Sequence, residues 1–479
     1  MSKQRILLIH PLGYDPQVAG RDISRLANLM PPLGLAQLAA YVEQEGHEAD
    51  LIDCFAHPDS DDLIDSLVRT RKPQFMGATC TTAGFLDAVR IFQRVRHIQP
   101  EIVTLVGGPH VSALRERVIE EYPDVDIAVI GEGEGPLKAL MQAQGDPTGI
   151  PGLVYRAGAE VVFTGVQKDL VILDDLPLPA YDKLRGFPEK YQLPIFNYPH
   201  APNTSCISSR GCPYQCSYCD RSVFRRSFRY NSADYLYEHL KMLKERFGIR
   251  HINFYDDQFT FNRERVAAFC ARMIDEPLHM TFNCAVRAEH VDRDLLGQMK
   301  QAGCWMISLG IETGDPELLA QHRQNPDLEH MAETVRTIHR LGMRVKGLFM
   351  IGLPGETEQS FQRTMEYVFS LPIDDLNLAK FTPFPGSPLY ENIHDLGSFA
   401  EDWAKMDCMN TVFVPNGFTA ERLEELFFSF YKRYYTRPKT LWNFVTMLWK
   451  SPDSWRRFLA NAGSFLSFAR TNKRIRESA

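Results

Sequence analysis

Three cysteines, Cys212, Cys216 and Cys219, fall within eight residues of the stretch "RGCPYQCSYCDRSV". Thiolates so spaced can hold metal. Three is one short of the four ligands taken by a closed zinc site or an electron-transfer iron–sulfur cluster. Either the fourth ligand lies elsewhere in the chain or one position stands open. No second C-x-x-C or H-x-x-x-H lies nearby to complete a zinc site. Buried core cysteines would not cluster beside Arg210, Gln215 and Asp220, so an iron–sulfur site is the better reading. The other seven cysteines are scattered singly, as small core residues are. Three more places downstream carry chemistry. The pair Asp256 and Asp257 can receive a cation, or it is a solvated start to a loop. Arg287 can grip a carboxylate bidentately, or it makes a structural salt bridge. Glu312 precedes Thr313 and Asp315, either of which can cap a helix.

These residues sit where strands are expected to end. "SCISSRG" leads into the cysteine loop, and "HINFYDD", "MTFNCAVR", "CWMISLGIE", "RVKGLFMIG" and "LNLAKFTPF" follow at regular intervals. Helical segments separate them, three ending at Gly248, Gly303 and Gly342. Six such units are too few for a closed eight-stranded barrel. An open, partial barrel is expected, with chemistry at the carboxyl ends of its strands. Gly352 and Gly355 follow the fifth strand, where glycines admit a flat ring or simply make a tight turn.

The first part of the chain alternates in the same way. "RILLIH" (5–10), "ADLIDC" (49–54), "FMGATC" (75–80), "IVTLVGG" (102–108) and "DIAVIGEGEGP" (126–136) are apolar strands separated by helical patterns. They predict a doubly wound parallel sheet. Gly13, Gly107, Gly108, Gly131 and Gly133 fall at its carboxyl edge, where ligands bind in such sheets. "GYDPQVAG" lacks the G-x-G-x-x-G of a dinucleotide site. The expected organisation is a Rossmann-like domain over 1–145 and a hairpin and proline-rich linker over 146–200. The partial barrel follows over 201–400, then a helical region over 401–479. In the last, Leu423, Leu426, Phe427, Phe430 and Tyr434 form one apolar stripe.

Composition excludes several classes. The chain has 479 residues, 44% apolar and 24% charged, with net charge −7. Nothing at that level points to nucleic acid. No run of about 18 apolar residues predicts a spanning helix. The N-terminal apolar run is too short for a signal peptide. With ten cysteines, this argues for a reducing cytoplasm and against a disulfide framework.

"CPYQCSYC" resembles the C-x-x-x-C-x-x-C loop of the radical S-adenosylmethionine (SAM) superfamily, including the aromatic Tyr218 before the last cysteine. The resemblance covers roughly 200–400 and several elements match in order. It implies that the three cysteines hold a [4Fe–4S] cluster whose fourth iron is chelated by SAM. One electron then splits SAM to methionine and a 5′-deoxyadenosyl radical. It also implies SAM contacts for Asp256 or Asp257 (ammonium), Arg287 (carboxylate), Glu312 in "GIET" (ribose and methionine) and Gly352 and Gly355 (adenine). Many members have Gly-Gly-Glu where this chain has Tyr-Asp-Asp. "FTPFPGSPLY" resembles the end of the family core and implies a lining on the substrate side.

"PPLGLAQLAAYVEQEGHEADLID", "VGGPHVSA" and "VIGEGEGP" resemble the cobalamin-binding domain fused ahead of many radical SAM cores. The fold class implied is a cobalamin-binding Rossmann-like sheet followed by a partial (βα)6 TIM-like barrel and a helical C-terminal region. Gly107, Gly108, Gly131 and Gly133 are the implied cobalamin contacts. The cobalt-ligating D-x-H-x-x-G is absent: "DCFAHPD" has the wrong spacing, and His110 lies outside such a context. The class implies methylation of an unactivated carbon of a small molecule. It also admits oxidative ring closure, as in anaerobic magnesium-protoporphyrin ester cyclases. A tRNA methylthiotransferase fits less well, since no second three-cysteine set or RNA-binding domain is visible. A corrinoid- or cluster-binding sensor without turnover is the rival from another class. The implied electron donor is a flavodoxin or ferredoxin.

From Tyr431 onward eleven Lys or Arg face two acids, interleaved with Trp442, Phe444, Trp449, Trp455, Phe458, Phe465 and Phe468. Such a tail suits an anionic membrane surface. It equally suits helices packed on the barrel with a solvated basic face. Its aromatic character favours a large apolar substrate, such as a tetrapyrrole or polycyclic lipid.

Overall fold

The computed structural model describes residues 3–13, 29–461 and 463. Most of "GYDPQVAG" and the tail aromatics Phe465 and Phe468 lie outside them.

The first sheet has seven strands: β1 Arg5–His10, β2 Glu48–Asp53, β3 Phe75–Thr79, β4 Val103–Gly107, β5 Ile127–Val129, β6 Leu153–Ala157 and β7 Glu160–Phe163. Their spatial order is β2-β1-β3-β4-β5-β6-β7. The first five are parallel, with apolar layers on both faces, as their unbroken apolar runs require. The hairpin expected within 146–200 joins this sheet: β6 pairs antiparallel to β5, with Ile127 opposite Tyr155. Without it, β5 would present an unpaired edge.

The second sheet contains β8 Asn203–Cys206, β11 His251–Phe254, β12 Thr281–Val286, β13 Cys304–Glu312, β14 Arg344–Ile351 and β15 Asp375–Lys380. They lie in the order β15-β14-β13-β12-β11-β8, all parallel, as the expected open six-stranded barrel. Helix starts follow local chemistry. The side chains of Ser232, Asn262, Asp292, Asp315, Asp327 and Thr357 each accept an N–H from the first turn. A short antiparallel pair, β9 Ser209–Arg210 and β10 Arg229–Tyr230, brackets the cysteine loop.

The segment after the barrel differs from the helical reading. Residues 397–415 make a two-stranded pair, β16 Gly397–Phe399 and β17 Phe413–Pro415. Between them Trp403 reaches back to pack edge-on against Phe85 and His110 of the first layer. Burying one indole there outweighs helix propensity in a stretch with no periodic stripe. Helices then follow at Ala420–Tyr435, Pro438–Lys450 and Pro452–Ala460. The stripe Leu423, Leu426, Phe427, Phe430 and Tyr434 is buried on the barrel. Among the described residues no helix is long and apolar enough to cross a membrane.

Candidate active site between the two sheets

The cysteine loop is held at its base. Asp256, buried at the end of β11, accepts hydrogen bonds from the Ser208 N–H (2.7 Å) and from the hydroxyls of Ser208 (2.9 Å) and Ser209 (2.7 Å). Gly211 turns the chain at φ 86°, where a Cβ would strike the Ser227 carbonyl. Beyond it Cys212, Cys216 and Cys219 are free, half-buried thiols that line a cavity of about 700 Å³. Burial raises the Cys212 pKa and pushes Cys219 up to about 12. Bound metal reverses that penalty by stabilising thiolates. Among the described residues no three His, Cys, Asp or Glu side chains converge on one ion position. A cluster instead asks for thiols around a shared space, which this loop supplies.

The barrel's strand ends bring charge to the same cavity. Glu312 closes β13 in the left-handed region, φ 66°, beside a register slip against β14. Such strain in a non-glycine residue persists only where surroundings impose it. Its carboxylate folds back over Gly310, where a Cβ would lie 2.9 Å from Glu312 Oε1. Burial raises the Glu312 pKa, against the charges of Arg323 and Arg287 and a hydrogen bond with Tyr218. Arg287 lies 3.8 Å over the Tyr214 ring, donates to Cys216 Sγ at 3.9 Å and pairs with Glu289 at 3.1 Å. The Nε atoms of Arg287 and Arg323 are buried without a partner among the described residues. Both side chains line the cavity, and Arg323 also donates to the Gly310 carbonyl at 2.5 Å.

The aspartate pair is split. Asp257 lines the cavity, whereas Asp256 is absorbed in holding Ser208 and Ser209. Gly352 and Gly355 are not on the cavity wall; Leu348 of the same strand is. The Gly352 N–H donates to Glu356 at 2.5 Å, and a Cβ at Gly355 would meet Gln321 Oε1 at 2.7 Å. Their local role is the tight turn after β14. In "FTPFPGSPLY", Gly386 lies against the Asp220 carboxylate, and the Leu389 N–H donates to the Ser217 carbonyl. That stretch braces the cysteine loop from behind.

The opposite wall comes from the first sheet. Gly107, Gly108, Gly131 and Gly133 all line the cavity. A Cβ at Gly108, φ 105°, would come within 2.7 Å of the Cys80 carbonyl oxygen. From there an apolar arm, walled by Leu8, Leu35, Leu105, Val129 and Leu137, runs between sheet and helices. His110 is away from this space. It is buried between Phe85 and Trp403, with ring centroids at 4.7 and 4.5 Å, and burial pushes its pKa down to about 4.

Buried charges tie the two walls together. Arg210, two residues before Cys212, donates to Glu132 of the loop after β5 and, at 2.6 Å, to Glu134, which opens the helix Glu134–Gln142. Arg229 pairs with the other Glu132 oxygen. Gln167 Nε2 donates to the Ile130 and Glu132 carbonyls at 2.9 and 2.7 Å.

Two family models match the two halves: the B12 binding domain over residues 22–141 and the radical SAM superfamily over 206–368. An uncharacterised methyltransferase of Pyrococcus horikoshii is 30% identical over 416 residues, 86% of this chain and 89% of that protein. The chain belongs to the cobalamin-dependent radical SAM enzymes. Its cofactors are a [4Fe–4S] cluster, SAM and cobalamin. The anaerobic magnesium-protoporphyrin IX monomethyl ester cyclase of Rubrivivax gelatinosus is 27% identical over 444 residues, 90% of this chain and 77% of that one. The radical SAM methyltransferase TsrM of Kitasatospora setae, solved with cobalamin and a [4Fe–4S] cluster, superposes with a TM-score of 0.67 at 17% identity. It covers 88% of this chain and 80% of its own, and the likeness is one of fold.

For a radical SAM enzyme this donor set fits. Three thiols, two acids and two arginines lie on one wall, and a glycine and apolar bed lies on the other. Sequence reasoning passed over Arg323, Arg210, Glu132 and Glu134. Arg323 directly follows the short helix Pro316–His322 and has no periodic signal. The acids of "GEGE" were visible, but their partner Arg210 stands 78 and 76 residues further on.

Proposed function

We propose that this enzyme methylates an unactivated carbon of a small-molecule substrate held between the two sheets. The carrying observation is that Cys212, Cys216 and Cys219, Asp257 and Glu312, and Gly107, Gly108, Gly131 and Gly133 line one continuous cavity. When bound, the cluster supplies the electron that cleaves SAM, and cobalamin carries the methyl group. The three cysteines ligate the cluster. Asp257 takes the ammonium of SAM, Arg287 and Arg323 its carboxylate, and Glu312, near Tyr218, orients its ribose end. The glycines let a flat macrocycle approach backbone closely. The apolar arm and the buried Arg210–Glu132–Glu134 bridge keep bulk water from the space between the cofactors. A carboxylate and cations placed for SAM argue against a sensor without turnover.

The partners are a large, mostly apolar substrate and a one-electron donor such as a flavodoxin or ferredoxin. A peripheral contact of the C-terminal region with a membrane belongs to the same reading. The anaerobic enzyme, reconstituted with iron, sulfide and cobalamin and given SAM and dithionite, is expected to form 5′-deoxyadenosine. With SAM labelled in its methyl group and tetrapyrrole or polycyclic lipid candidates, label should appear on carbon. Absence of both cluster absorption and 5′-deoxyadenosine sinks the assignment. Long cyclase relatives favour one second reading: an unlabelled, ring-closed product identifies oxidative cyclisation instead.

A further inference from the structure

The helix Pro438–Lys450 is amphipathic in an unusual sense. Its inward side is fixed to the barrel: Met447 Sδ lies 2.8 Å from Arg344, Asn443 donates to Asp374 at 3.2 Å, and Phe444 packs on Phe196. Its outward side is apolar. Leu441, Trp442, Val445, Leu448 and Trp449 recur at i, i+1, i+4, i+7 and i+8, one helical face. All five are exposed, Trp442 by 63% and Trp449 by 62%. A solvated surface helix carries polar residues there, so this face asks for a cover. None of the described residues provides one.

Charge selects the cover. Residues 431–461 carry seven Lys or Arg and one acid, Asp453, in a chain of net charge −7. Lys439 and Lys450 stand exposed at the two ends of the helix. The lone acid is engaged with the Ala201 N–H and with Arg456. A second copy packed face to face would oppose these like charges across a two-fold axis. The chain's own last residues are also basic, with Arg470, Lys473, Arg474 and Arg476 against Glu477. An anionic surface meets no such repulsion. Two tryptophans beside leucines and flanking lysines are what a headgroup boundary receives.

We infer that the Leu441–Trp449 face of this helix seats the enzyme on an anionic phospholipid bilayer. The inference rests on the membrane contact within the proposed function and names the surface that makes it. Arg344 begins β14, Asp374 precedes β15 and Ala201 precedes β8, so the seat lies at the amino ends of the barrel strands. The cysteine loop opens at the other end. The bilayer therefore holds the enzyme by its base, and the cavity faces away from it.

The test uses the full reconstituted chain and flotation with vesicles of phosphatidylcholine, with or without phosphatidylglycerol. Binding is expected only with phosphatidylglycerol and should weaken with salt. The double substitution Trp442→Ser and Trp449→Ser should weaken it by about tenfold or more, with 5′-deoxyadenosine formation unchanged. Three results overturn the inference. Unaltered binding by the double variant means that some other part of the basic region makes the contact, and the broader membrane reading survives. No binding to either vesicle ends both membrane readings, while 5′-deoxyadenosine formation still reports separately on the enzymatic one. A lipid-free dimer that the double substitution splits, seen by sedimentation, assigns the face to a second copy of the chain.

Discussion

The two walls of the cavity come from sheets whose site-bearing strands are parallel, yet they bring different chemistry to it. The first sheet offers Leu8, Leu105, Val129 and four glycines. The barrel offers three thiols, Asp257, Glu312 and two arginines. On the proposed function, one wall recognises a ligand by shape and removal of apolar surface from water, the other by charge and coordination. The difference implies two separable binding events, joined by the Arg210–Glu132–Glu134 bridge. Substitutions on either side should therefore fail in different ways.

In order of expected effect on turnover, Cys216→Ala comes first. It should reduce cluster absorption and 5′-deoxyadenosine to background while cobalamin still binds. Loss of both cofactors together would show that the walls are not independent. Glu312→Gln follows, with 5′-deoxyadenosine formation falling by about 10- to 100-fold and the cluster spectrum intact. A normal rate would remove Glu312 from the SAM site. Gly108→Val is the mirror of these. Its Cβ enters the Cys80 backbone from a φ of 105°, strain of about 1–3 kcal/mol before any clash. Cobalamin affinity, read by absorbance titration, should drop while cluster content holds; the reverse result would place cobalamin elsewhere. Glu132→Gln attacks the bridge. It leaves Arg210 and Arg229 short of a partner, at a cost of about 3 kcal/mol. Cluster content and cobalamin affinity should then decline together, and an unchanged pair would make the bridge merely structural.

The shape-recognising wall was as legible in sequence as the charged one, but for different reasons. Alternating apolar runs and terminal glycines announce a parallel sheet and its ligand edge, because backbone geometry demands them locally. The cysteine loop announces itself by spacing. What stayed hidden depends on three-dimensional partners. Nothing local distinguishes Asp256, which holds two serines, from Asp257, which faces the cavity. Gly352 and Gly355 look equally suited to a ring or a turn, and only the fold shows them turned from the cavity. The exposed face of Pro438–Lys450 is a similar case. A stripe at helical spacing reads as core, and only its partners reveal that Met447, rather than Trp442, points inward.

The smallest effects on turnover concern two buried titratable groups behind the walls. Burial raises Glu356, behind β14, to about 8 from an ordinary 4.5. It lowers His110, behind the glycine edge, to about 4 from 6.5. Linkage gives them opposite signs. Folded Glu356 keeps its proton where the unfolded chain loses it. Its contribution is full below pH 4.5 and declines as pH rises toward 8. Folded His110 stays neutral where the unfolded chain takes up a proton. Its contribution is full above pH 6.5 and is lost as pH falls toward 4. Each slope amounts to at most a few kcal/mol, at about 1.4 kcal/mol per pH unit. Hydrogen exchange reads the layers separately, which global unfolding of a two-layered chain does not. Between pH 5 and 8, Glu356→Gln should flatten a loss of protection with rising pH around β14. His110→Gln should flatten a gain with rising pH in the helix Pro109–Leu114. If both regions respond to either substitution alone, the two layers open as one unit, and the independence of the two walls is lost with it.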